Sequence, residues 1–111
     1  MLFTGYLPII IVKVKNETNE VIERINITYD GCKYKAPAIK KIKPNERKQV
    51  PIATVNLGRP IDLKMFINED LKYVIKEKVR EKDKYNLNVI ISKVDYNGAL
   101  EFTSEIEKEE I

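Results

Sequence analysis

Histidine and tryptophan are absent from this 111-residue chain, and cysteine occurs once, at Cys32. Without histidine the commonest general base and transition-metal ligand is missing. Carboxylates remain for acid–base work, but no two of them stand apart from turns and polar strand faces. A single thiol cannot close an internal disulfide, so nothing requires an oxidising compartment. The neighbouring Lys33 could lower the pKa of Cys32, yet the usual activating histidine is lacking, and a small apolar core residue is the favoured reading. The four glycines, Gly5, Gly31, Gly58 and Gly98, are scattered and build no phosphate loop. Asp95-Tyr96-Asn97-Gly98 and Asn68-Glu69-Asp70 carry oxygens suited to calcium but not the spaced ligands of an EF-hand, and read as turns. The expectation is therefore no enzyme, no cofactor and no bound metal.

Long apolar runs are also missing. Ile9 to Val12 is far short of a membrane span. The first residues carry neither the basic start nor the small-residue cleavage site of a signal peptide. The stretch is expected to be a strand covered on both faces at its start, and the location cytoplasmic by default. A chain trimmed of its leader would read the same and be extracellular.

What is present is ordinary for a soluble fold: 43% hydrophobic and 33% charged residues, enough for one domain over residues 1–111. The segments alternate with a period of two. Val21 to Ala36 predicts a hairpin closed by Asp30-Gly31, with Tyr29 opposite Cys32, Ile27 opposite Tyr34 and Ile25 opposite Ala36. Pro37 should end or kink its second strand. Pro44-Asn45-Glu46 predicts a turn, and Pro51 places its own strand at a sheet edge. A three-residue loop at Asn68-Glu69-Asp70 sets Ile67 opposite Leu71, Met65 opposite Tyr73 and Leu63 opposite Ile75. Glu77 to Asn86 has a single Val, hence no apolar stripe, and reads as a loop. Leu87 to Val94 and Leu100 to Ile106 predict a last hairpin through Tyr96-Asn97-Gly98, with Gly98 in a left-handed bulge position. Val94 then faces Leu100 and Lys93 faces Glu101, while Leu87, Val89 and Ile91 fall on the other face from Val94, which predicts a bulge or a two-sided strand. The acidic tail from Glu105 to Ile111 is expected to fray. Eight short strands without an amphipathic helix predict an all-β, antiparallel, immunoglobulin-like β-sandwich.

Two pieces carry a family resemblance. Asn16 to Gly31, NETNEVIERINITYDG, runs from a polar loop through an alternating strand into an Asp-Gly turn. Ile42 to Ile52, IKPNERKQVPI, resembles the aliphatic, Pro-Gly-Glu turn, aliphatic pattern, with Asn45 where glycine is usual. Both resemble bacterial immunoglobulin-like or fibronectin-like sandwich modules. The resemblance implies a sandwich fold and a role in adhesion, spacing or binding, and these modules are often extracellular.

Charge is the one marked asymmetry. Lys33, Lys35, Lys40, Lys41, Lys43, Arg47 and Lys48 stand against Glu46 alone, a net +6 in a chain of net +3. Glu101 to Ile111 carries five acids and one lysine. The basic stretch could meet an acidic protein, the acidic tail of the same or another copy, or a polyanion. Nucleic acid is the least favoured of these partners, because no nucleic-acid-binding motif accompanies the charge. The bland alternative is an edge strand guarded by lysines against unwanted pairing. Asn16-Glu17-Thr18 and Asn26-Ile27-Thr28 match the glycosylation pattern, which matters only for a secreted chain.

Overall fold

Period-two alternation of aliphatic residues leaves each strand one face to bury, and two such sheets bury theirs against each other. The computed structural model describes residues 9–29, 37–54 and 57–107. Its strands are β1 (Ile9–Asn16), β2 (Ile22–Thr28), β3 (Ala38–Ile42), β4 (Arg47–Ala53), β5 (Ile61–Phe66), β6 (Lys72–Val79), β7 (Tyr85–Val94) and β8 (Leu100–Glu107). They form two four-stranded sheets, ordered β4-β1-β7-β8 and β3-β2-β5-β6. Among the described residues no helix is long and apolar enough to cross a membrane.

The core lies between the central strands. Ile10, Val12, Val14, Leu87, Val89 and Ile91 of one sheet meet Ile25, Ile27, Leu63 and Met65 of the other, none more than 1% exposed. Burying each such side chain contributes roughly 2 kcal/mol.

The expected antiparallel arrangement needs one correction. β1 pairs antiparallel with β4 but parallel with β7, Val12 standing opposite Leu87. The immunoglobulin-like strand order is also not the one observed. Constant-type immunoglobulin domains keep their first two strands in one sheet, whereas here β1 and β2 lie in different sheets. Nor is β1 covered on both faces at its start, because Ile9 and Ile11 are half-buried and only alternate residues are fully buried.

The first hairpin has a different register from the one read off Asp30-Gly31, which lies outside the described residues together with Cys32. Ile25 pairs with Ile39 instead of Ala36, and Ile22 with Ile42. Two aliphatic partners bury more apolar surface than one alanine, so the later register wins. Pro37 stands directly before β3, and the arm that it is expected to end or kink lies outside the described residues. Pro37 lacks an N–H, yet its carbonyl accepts the Ile27 N–H at 3.0 Å.

The second hairpin keeps its expected pair of Met65 opposite Tyr73, and beside it Phe66 stands opposite Lys72. Further on, Leu63 pairs with Lys76 instead of Ile75, because the ladder is bulged. Lys78 has φ 55°, and its N–H is held by the Asp62 carboxylate at 3.0 Å. The strand therefore runs on through Glu77 to Val79, against the loop expected from the sequence, and Val79 is buried in the core. The connection to β7 occupies only residues 80–84, and Tyr85 and Asn86 already belong to that strand.

The last hairpin matches its expected register. Val94 faces Leu100, Lys93 faces Glu101, and a bulge lies between Ile91 and Lys93. Gly98 has φ 88° and closes the turn by donating to the Asp95 carbonyl at 2.9 Å. The expected fraying at Glu105 is not observed, since β8 pairs through Glu107, which faces Asn86. Residues 108–111 lie outside the described residues.

Candidate functional site

The basic stretch is built around one turn. In Lys43-Pro44-Asn45-Glu46, proline presets the first corner and Asn45 takes φ 66° at the second, where glycine is usual. The Glu46 N–H donates to the Lys43 carbonyl and the Lys43 N–H to the Glu46 carboxylate, both at 2.9 Å. This turn carries the chain from β3, an edge of one sheet, to β4, an edge of the other. Five of the seven predicted cations are thereby brought to one open side of the sandwich. Lys33 and Lys35 lie outside the described residues.

Lys40, Lys41, Lys43 and Arg47 are exposed and Lys48 is half-buried. The Lys48 ammonium spans the gap between the sheets and donates to the Lys40 carbonyl at 2.8 Å. Lys41, at φ 52°, distorts the edge so that both Lys40 and Lys41 point outward. Such a distortion and such charges are devices that keep an edge from pairing with another chain. None of these five cations forms an ion pair among the described residues, whereas Lys13, Lys15 and Lys93 do.

Asn16 fastens the turn to the rest of the molecule. Its side chain is fully buried, and its amide donates to the Ile42 carbonyl at 2.8 Å and the Glu20 carbonyl at 2.7 Å. Its side-chain oxygen accepts from the Thr18 N–H at 2.8 Å and the Thr18 hydroxyl at 2.7 Å. Its backbone carbonyl takes the Asn45 N–H at 2.7 Å. With both amide hydrogens used and no exposed surface, Asn16 cannot carry a glycan in the folded chain. The half-buried Asn26 accepts a hydrogen bond from Arg24 Nε at 3.3 Å.

A cleft of about 540 Å³, with no signal in the sequence, opens under the loop that leads from β1 into β2. Its walls include Glu20, Val21 and Glu23 on one side and Ile67, Ser92 and Val94 on the other. In sequence the Asn16 to Glu20 run is only a polar loop. The parallel pairing of β1 with β7 brings the end of β7 under it, with the Glu17 N–H donating to the Ile91 carbonyl at 2.8 Å. Val21, 47% exposed, stands on the rim.

On the outer face of the β1 sheet, Glu107 gathers three donors: Asn86 Nδ2 at 2.8 Å, Lys13 Nζ at 3.2 Å and Asn88 Nδ2 at 3.5 Å. The Asn86 hydrogen bond first, then those from Lys13 and Asn88, hold the Glu107 carboxyl below its ordinary pKa. A depressed carboxylate pKa stabilises the fold above the unfolded value, and that contribution fades as pH falls through the folded one. In an NMR titration the Glu107 carboxyl should titrate below 4.5, the ordinary value, and Asn86→Ala should raise its midpoint. An unmoved midpoint would show that Asn86 does not set it.

The remaining candidates resolve into local structure. Asn68 Oδ1 accepts the Asp70 N–H at 2.9 Å, and Asn97 Oδ1 the Ala99 N–H at 3.2 Å, so both oxygen-bearing loops use their side chains as turns. Burial first, then the Asp83 charge, pushes the Tyr85 hydroxyl up to about 12, which keeps it neutral. Among the described residues no three carboxylates gather as a metal ligand set. Compared with protein-family models and with curated proteins, the chain matches none.

Proposed function

We propose that this chain is a non-enzymatic β-sandwich module that docks another protein, its β3–β4 edge receiving an acidic surface. The observation that carries the reading is the set of five cations at that edge without a counter-ion among the described residues. The turn that presents them is fixed by Asn16, so the charges sit on a preorganised corner. The role is that of immunoglobulin-like and fibronectin-like modules, in binding or spacing. The likeness lies in the sandwich architecture and turn chemistry, since such domains share the first without always sharing strand order.

Changing Lys40, Lys41 and Lys43 together to Glu should leave the melting curve nearly unmoved, because exposed charges each contribute little. The same change should abolish retention of a poly-glutamate peptide, measured by fluorescence anisotropy at low salt. Equal retention by wild type and variant would sink the reading. The same unpaired cations support a second reading, a polyanion binder. Random-sequence DNA and RNA that bind at low salt and release steeply as salt rises would favour it. No gel shift even at low salt would remove it.

A further inference from the structure

Beside the unpaired cations lies an unpaired acidic rim. Glu20 and Glu23 are exposed and form no ion pair among the described residues, whereas Glu17 is held by Lys15 at 3.2 Å. The two sets of charges are neighbours. Ile22 pairs with Ile42 and Arg24 with Lys40, so Glu23 and Lys41 lie between the same two rungs of the ladder. Glu20 is joined to the same corner through Asn16, whose amide bridges the Glu20 and Ile42 carbonyls. Across this end of the sandwich the acids therefore lie on the β2 side and the bases on the β3 side, with exposed Val21 beside the acids above the cleft.

A surface with adjacent, unequal halves of opposite charge is complementary to itself under a two-fold rotation. We propose that the acidic partner of the β3–β4 edge is a second copy of this chain. Glu20 and Glu23 of each copy face Lys41 and Lys43 of the other, and the Val21 rims meet near the axis. The proposal rests on the docking role given above and names its partner. Charge steers and orients the pair, so the association is salt-sensitive. The small apolar contribution at Val21 makes it reversible.

Sedimentation velocity of the full chain tests this. Wild type should form dimers at low ionic strength and revert to monomers at high salt. Glu20→Lys with Glu23→Lys, and separately Lys41→Glu with Lys43→Glu, should each be monomeric at low salt with unchanged melting curves. An equimolar mixture of the two variants should associate again, because each then carries the complement of the other. If either double variant fails to fold, Glu20→Lys and Lys43→Glu alone serve in the same mixing experiment. A wild type that stays monomeric at low salt overturns the proposal, and so does a mixture that does not associate while wild type does. A monomeric wild type that still holds poly-glutamate through its lysines overturns self-association and leaves the docking role standing. Loss of both removes both.

Discussion

Asn16→Ala should lower the unfolding free energy by about 3 kcal/mol, seen as a reduced denaturant midpoint with little change in slope. The side chain is fully buried and joins four groups at 2.7–2.8 Å. Alanine leaves the Ile42 carbonyl and the Thr18 N–H unmatched beneath the loop, and an unsatisfied buried polar group costs about 1–3 kcal/mol. The loss is local in origin but not in reach, since Asn16 ties β1 to the loop before β2 and to the corner between β3 and β4. Asn16→Asp is the informative companion. It keeps the acceptor for Thr18 but turns a charged oxygen toward two carbonyls, so at neutral pH it should destabilise at least as much. An unchanged midpoint in both variants would mean that water replaces the side chain at no cost, and that Asn16 does not hold the corner.

Gly98→Val should cost about 2–3 kcal/mol, from backbone strain and a steric contact acting together. At φ 88° a β-branched residue is strongly disfavoured. A Cβ at Gly98 would also stand 3.2 Å from the Asn68 Cβ, in the loop between β5 and β6. Gly98→Ala isolates the smaller share, with the same contact but less strain. Because Ile67 lines the cleft and lies beside this contact, its methyl NMR signals should shift in both variants. Retention of wild-type stability by Gly98→Val would show that the turn does not hold the bulged geometry.

These two residues mark the limits of what the letters disclose. Gly98 was legible because its turn, its flanking partners and its bulge all lie within one local hairpin. The same local logic located the pairs beside the Asn68 loop and the left-handed Asn45. It failed at Ile25, expected opposite Ala36, because the burial of a more distant aliphatic pair, Ile39 and Ile42, decided the register. Val79 was missed because the bulge at Lys78 breaks the alternation that would have announced it. The cations of the basic edge were legible as charge, but their gathering depended on β3 and β4 falling at the edges of different sheets. The cleft had no local signal, because it arises from the parallel contact between β1 and β7, and alternation looks the same in a parallel and an antiparallel strand. The role of Asn16 was half local, in its bonds to Thr18 and Glu20, and half distant, in its bond to the Ile42 carbonyl.

That parallel contact also governs the order in which the chain can be completed. β1 is the first strand in the described chain, yet one of its two neighbours is the seventh. During synthesis its apolar face must wait while most of the sequence leaves the ribosome. By contrast, β5 and β6 are adjacent in sequence and can pair as soon as both emerge. The two sheets thus differ in kind as folding units, one having an early local hairpin and the other a late, long-range closure. Closure over such a distance loses loop entropy before any contact compensates it, which puts the chain among the slower-folding small domains. Until β7 arrives, the aliphatic stretch from Ile9 to Val14 is the segment most in need of shelter from other nascent chains.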